Sequence, residues 1–156
     1  MTDFQAIADR VEIDALRAEY TDAGLVRDYD RFAELFTSDG VMRIPDAGVE
    51  LAGRDEIRAG IERLQTVWEF FLQHTHAGAV TVDGDTATGR AHMHELGRFR
   101  DGTSHVNYAI YHDRYVRTPD GWKFAERTYE IRYHDTTPLA GTPGGFYLAS
   151  QLAGNS

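Results

Sequence analysis

A chain of 156 residues fits one domain, and with 42% hydrophobic and 12% aromatic residues it can bury a real core, which excludes a disordered chain. A formal net charge of −9 argues against a nucleic-acid partner, because an acidic surface repels phosphate backbones. The absence of cysteine excludes disulfides, thiolate nucleophiles and Cys-ligated metals, and the apolar runs fall far short of the roughly 20 residues that span a bilayer. The opening Met1-Thr2-Asp3-Phe4 carries neither a basic nor an apolar signal segment, so a cytoplasmic protein is expected.

Asp3 can cap a first helix with apolar residues at Phe4, Ile7, Val11, Ala15 and Ala18. A second stripe, Ile13, Leu16 and Tyr20, lies on roughly the opposite side, so this helix is expected to be covered on two sides. Asp28 or Asp30 can cap a short second helix holding Phe32, Leu35 and Phe36. Ser38-Asp39-Gly40 reads as a turn and residues 41–44 as a short strand stopped by Pro45. A third helix starts near Arg54, with Ile57, Ile61, Leu64 and Trp68 on one face.

The second half reads as strands. Residues 71–82 lead into the hairpin signal Asp83-Gly84-Asp85, followed by a strand over 86–98, the turn Arg100-Asp101-Gly102, a strand over 104–117, and Pro119-Asp120-Gly121 before a last strand over 122–133. Helices first and a long antiparallel meander afterwards predict an α+β fold with helices on one sheet face. Residues 1–135 form the domain, and residues 136–156 are a C-terminal tail.

Period two sorts the strand residues by face. On strand 86–98, Ala87, Gly89, Ala91, Met93, Glu95 and Gly97 are small or apolar and are expected inside; His92 and His94 then face out. On the last strand Arg127, Tyr129, Ile131 and Tyr133 share the inward face, leaving Trp122 and Phe124 outward with Leu96. Strand 104–117 is ambiguous: His105, Asn107, Ala109 and Tyr111 alternate with Val106, Tyr108, Ile110 and His112. The small inward residues leave room for a ligand.

Several of these residues carry chemistry. Glu95 in an apolar row can act as acid or base, or can simply pair with Arg98 or Arg127. Tyr20 can donate to a developing enolate or leaving group, and Arg127 and Tyr129 can bind a substrate oxygen. Met93, Asn107 and Tyr111 are further candidate pocket residues. His76 can serve as general base, since imidazole titrates near neutral pH. The His-x-His pairs 74/76 and 92/94 have strand spacing that could suit zinc or iron, but the outward reading of the second pair speaks against a metal site, and none is expected.

The order of motifs (residues 27–36, Gly53-Arg54-Asp55-Glu56-Ile57, Asp83-Gly84-Asp85 and Gly121-Trp122-Lys123-Phe124) resembles the SnoaL-like branch of the nuclear transport factor 2-like superfamily over about residues 5–135. Within it, Trp122-Lys123-Phe124-Ala125 with Ile131-Arg132-Tyr133 is similar to scytalone dehydratases, and Thr137-Pro138-Leu139-Ala140-Gly141 with Leu152-Ala153-Gly154 is similar to hexachlorocyclohexane dehydrochlorinases. The resemblance implies a cone-shaped curved sheet around N-terminal helices, and a C-terminal tail over residues 136–156 that acts as a pocket lid or a subunit contact. It also implies cofactor-free proton abstraction from a small apolar ring compound, with elimination, isomerisation or cyclisation.

A His–Asp dyad is implied as well. His76-Ala77-Gly78 looks like the histidine segment, the aspartate position falls on Leu25, and Asp22, one turn earlier, or Asp28, just past the helix end, could substitute. Tyr20 corresponds to the oxyanion-binding tyrosine of ketosteroid isomerases. The alternative is a non-catalytic ligand-binding or assembly module of the same fold. Either way a homodimer or homotrimer is expected.

Overall fold

The computed structural model describes residues 3–144. Helix α1 (Phe4–Leu25) is capped by Asp3, whose carboxylate accepts from the backbone N–H groups of Gln5 (3.0 Å) and Ala6 (3.2 Å). Its stripe of Ile13, Leu16, Tyr20 and Ala23 is buried. The other stripe is not covered: Phe4, Ile7 and Val11 are 79%, 49% and 62% exposed. Asp28 caps helix α2 (Tyr29–Glu34) by accepting from the Arg31 backbone N–H.

Strand β1 (Phe36–Ile44) runs straight through the expected turn at Ser38–Gly40, with an irregularity in its pairing there instead. A short 3-10 turn at Pro45–Ala47 and left-handed Gly48 return the chain as β2 (Val49–Ala52), which no sequence signal announced. Helix α3 (Arg54–Gln65) ends before Trp68, which instead opens β3 (Trp68–Thr75).

The strand expected over 71–82 is two strands, β3 and β4 (Ala79–Asp83). Gly78 lies between them, against the backbone of Arg90. A Cβ there would fall 1.8 Å from the Arg90 carbonyl oxygen, so only glycine can make this close passage. Strands β5 (Thr86–Phe99), β6 (Ser104–Thr118) and β7 (Gly121–Asp135) form the long meander.

The sheet order is β2-β1-β7-β6-β5-β3, with β4 also on β5; β1 runs parallel to β7 and the remaining pairs are antiparallel. It is a curved, unclosed sheet with the helices against its concave face, the α+β arrangement expected.

Two bulges reset the alternation on β7. Arg114 pairs with Glu126 and Tyr115 with Phe124, leaving Ala125 as an extra residue. Trp122 and Phe124 therefore turn inward and are 4% and 0% exposed, against the expectation that they face out. The second bulge, at Arg132, turns Tyr133 outward.

Inside, Tyr20, Phe32, Phe36, Phe124 and Tyr115 form an aromatic core. Under it lies an ion pair with no solvent access: Arg127 Nε donates to Asp113 Oδ1 (2.8 Å) and Nη2 to Oδ2 (2.9 Å). A second pair ties α1 to the end of β6, with Arg117 donating twice to Asp9 (2.7 and 2.9 Å) and Trp122 Nε1 adding a third bond.

Beyond β7 the tail packs beside Phe70, Leu72 and Leu96. Leu139 is held by Ser104 Oγ, which accepts its N–H, and by Arg98, which donates to its carbonyl. The rest of the expected lid or contact segment lies outside the described residues. No helix among the described residues is long and apolar enough to cross a membrane.

Candidate functional site

Between the concave sheet face and the helices lies a cavity of about 540 Å³, within the size range of small-molecule sites. Its walls are mostly apolar, with Ile61 and Leu64 from α3 and Phe71, Phe99 and Ile131 from the sheet. Gly97 makes space for one wall: a Cβ there would meet the Trp68 ring at 2.8 Å, so the missing side chain lets the indole lie against β5.

Polar groups converge on one carboxylate. Glu95 faces inward from β5, as expected, and is 8% exposed. The register places Gln73 of β3 on one side of it and Asn107 of β6 on the other. Gln73 Nε2 donates to Glu95 Oε2 (3.0 Å), Asn107 Nδ2 donates to Oε1 (2.9 Å), and the Tyr129 hydroxyl donates to Oε1 (2.6 Å). All three donors are neutral. The basic residues considered as partners lie elsewhere: Arg98 pairs with Glu69 (2.6 Å) and Arg127 with Asp113.

Tyr111 joins the cluster by accepting from Gln73 Nε2 (3.1 Å), and its ring meets that of Tyr20 edge-on at 5.5 Å. Burial pushes the Tyr20, Tyr111 and Tyr129 phenols up from their ordinary range, so all three stay protonated and can donate at neutral pH. Beneath two of them lies the Arg127 guanidinium, 4.2 Å from the Tyr20 ring centre and 3.8 Å from that of Tyr111. Burial works against the charge on Arg127, and the adjacent Asp113 more than offsets this.

Tyr20, Glu95, Tyr111, Asn107, Tyr129 and Leu25 therefore all line the cavity, Leu25 at its rim. Four expected site residues do not. His76 is exposed, just past the end of β3, and its Nε2 shares a hydrogen bond with His94 Nδ1 (3.0 Å). The reason is parity: His74 pairs with His94 on the outward side of the sheet, and His76 continues that side while Gln73 takes the inward place. Asp22 is exposed and bound to Arg31. Arg127 lies behind the tyrosines, held by Asp113, and so cannot reach a substrate oxygen. Met93 is buried in the core outside the cavity wall.

Sequence reasoning missed Gln73, which alternation from Glu95's partner strand could have indicated, and also His105 and His134. Those two histidines line the cavity, with His105 Nδ1 2.7 Å from His134 Nε2. Burial, with His134 as the next cause, pulls the His105 imidazolium below its ordinary range. Among the described residues no group of three or more histidines and carboxylates is arranged to hold a metal ion.

The SnoaL-like domain family matches residues 5–128. An uncharacterized protein of Mycobacterium tuberculosis H37Rv is 28% identical over 123 residues, 78% of this chain and 84% of that one. Among solved structures, a type 2 hexachlorocyclohexane dehydrochlorinase superposes with a TM-score of 0.82 at 23% identity, covering 92% of this chain and 99% of that chain. A Novosphingobium aromaticivorans protein provisionally described as a scytalone dehydratase superposes with a TM-score of 0.76 at 21% identity, covering 93% and 98%.

Proposed function

Because the chain belongs to the SnoaL-like domain family, we propose that it is an acid–base enzyme that removes a proton from carbon in a small, largely apolar, ring-containing molecule, with Glu95 as the base. Elimination, isomerisation or cyclisation would follow. The observation that carries this reading is the setting of Glu95: a carboxylate on the wall of an apolar cavity, fixed by three neutral donors on three strands.

A carboxylate offers about four acceptor sites. Three are occupied, which leaves one lone pair for a substrate C–H while the others fix its direction. The Tyr20 and Tyr111 hydroxyls supply donors for the oxygen on which charge develops. The mostly apolar walls lower the local dielectric, which strengthens these donors. Two neighbours on this fold are named for eliminations, a dehydrochlorinase and a dehydratase, which favours elimination among the three outcomes. The histidine base implied by resemblance would have been His76; with that side chain outside the cavity, the base falls to Glu95.

The second reading, a ligand-binding module, is favoured by Leu25, an apolar side chain where the resemblance places a dyad aspartate. A panel of cyclic β-hydroxy and β-halo ketones separates the two. On any compound turned over, Glu95→Gln should lower kcat by about 10²–10⁴-fold, the usual contribution of a positioned base. Turnover unchanged by that substitution would remove Glu95 from the mechanism. Equal binding by both proteins with turnover by neither would establish the binding module.

A further inference from the structure

Two buried polar atoms of cavity-lining residues have no hydrogen-bond partner among the described residues: His105 Nε2 and Asn107 Oδ1. Buried polar groups are rarely left unpaired, so a vacant donor and a vacant acceptor side by side call for an explanation. Both residues are on β6, two positions apart, and both line the cavity. Residues so spaced stand about 6.6 Å apart at the backbone on the same strand face, so a convergence of about 1 Å between their side-chain ends lets one oxygen bridge them with two hydrogen bonds of about 2.8 Å.

Asn107 is 8% exposed, and its Nδ2 is committed to Glu95, which fixes Oδ1 as the free acceptor. His105 packs against the Phe99 and Trp68 rings, at 4.3 and 5.8 Å, and its Nδ1 is occupied by His134. The partner ring of His134 is exposed and stacked on it at 4.9 Å.

We propose that His105 and Asn107 form a hydroxyl-binding subsite, in which a substrate O–H donates to Asn107 Oδ1 and accepts from His105 Nε2–H, and that His134 connects this subsite to solvent as a proton relay. The substrate class is narrowed accordingly to hydroxylated ring compounds. This rests on Glu95 being the base. In an elimination, the C–H proton moves to Glu95 and its electron pair becomes the new π bond. The C–O bond breaks with its pair on oxygen, and the Nε2 proton of His105 moves to that oxygen, so that water leaves. Glu95 then returns its proton to solvent. As Nε2 gives up its proton, the shared proton passes from His134 Nε2 to His105 Nδ1 and solvent reprotonates His134; once water has left, a proton from solvent returns to Nε2 and the relay runs back, restoring the starting state.

A neutral imidazole has one N–H. The Nδ1 contact with His134 therefore decides whether Nε2 donates or accepts: while Nδ1 accepts from His134, Nε2 carries the proton, and the ring changes tautomer when Nε2 loses that proton as Nδ1 gains one. The ionisable groups acting on His105 are His134 of β7, Glu95 of β5 and Asp101 of the β5–β6 turn. Burial keeps the ring neutral near pH 7, the state in which tautomer exchange operates.

The test uses the intact protein labelled with ¹⁵N-histidine and 2-naphthol as probe, with binding followed through Trp68 fluorescence and the ring nitrogens by long-range ¹H–¹⁵N spectra. Binding should shift His105 Nε2 more than any other histidine nitrogen. His105→Phe should weaken naphthol by about 5–10-fold, the worth of one neutral hydrogen bond. His134→Gln should retain binding but change the His105 tautomer ratio and the pH profile of turnover. If naphthol binds and the His105 nitrogens do not move, the subsite is refuted while Glu95 stands. If naphthol does not bind at all, the subsite also falls, and α-proton exchange from a ring ketone, compared between the parent protein and Glu95→Gln, decides the fate of the base.

Discussion

At the residue scale, Glu95 and Asp113 show how differently two buried carboxylates can be used. Glu95 is held by neutral donors on a cavity wall, whereas Asp113 is locked to Arg127 in a pair with no solvent access. Removing one partner of such a pair leaves an uncompensated charge, so Asp113→Asn should cost about 3–5 kcal/mol in urea unfolding; a loss below 1 kcal/mol would mean that Arg127 finds another partner. Asp9 belongs to the same stabilising class. Hydrogen bonds from Arg117 hold its carboxyl well below the usual range. A depressed folded-state value means that its contribution is present above the unfolded carboxylate range and lost as pH falls through it. Asp9→Asn should therefore lower Tm at pH 7, with the gap to the parent protein narrowing below about pH 4. A gap independent of pH would contradict the assignment.

Glu95, Tyr20 and Tyr129 were legible from the sequence because each keeps strict phase with apolar neighbours on its element. His105 was not: β6 alternates polar and apolar side chains on both faces, and only pairing to β5 and β7 decides which face is inner. His76 was misplaced because its inward placement came from resemblance, while the pairing of His74 with His94 sets the outward side.

At the scale of elements, caps and hairpin turns were readable and bulges were not. Asp3 and Asp28 capped the helices as their side-chain chemistry requires, and the Asp83-Gly84-Asp85 turn closed the β4–β5 hairpin. By contrast, the extra residues at Ala125 and Arg132 carry no local signal, yet they send Trp122 and Phe124 inward and Tyr133 outward. The break at Gly78 and the hairpin strand β2 likewise arise from tertiary contact rather than from local preference. Gly97 gives this scale its own test. Gly97→Val would push the Trp68 ring from its seat, so it should lower Tm and alter Trp68 fluorescence. An unchanged Trp68 spectrum would mean that the indole does not depend on that space.

For the whole molecule, the family and the α+β fold follow from the match over residues 5–128 and from the curved sheet, in line with the sequence expectation. Among the described residues, exposed apolar side chains group at Phe4, Ile7 and Val11 on α1 and at Leu72, Tyr108 and Tyr133 on the outer sheet face, the last three 48%, 52% and 57% exposed. Apolar surfaces of this kind commonly mark interaction sites, and we propose that the chain self-associates through one of them. Light scattering should give a dimer or trimer mass, with Val11→Glu or Tyr133→Glu returning the monomer and so identifying the face; a monomer at all concentrations would contradict this.

Proton removal from carbon by Glu95 can be tested without knowing the natural substrate, through the exchange of the α-protons of 2-tetralone, an apolar ring ketone, followed by ¹H NMR in D₂O with the parent protein and with Glu95→Gln. Exchange well above buffer is expected with the parent protein, falling by about 10²-fold or more in the variant. Equal acceleration by both proteins, or no acceleration by either, would contradict proton removal by Glu95.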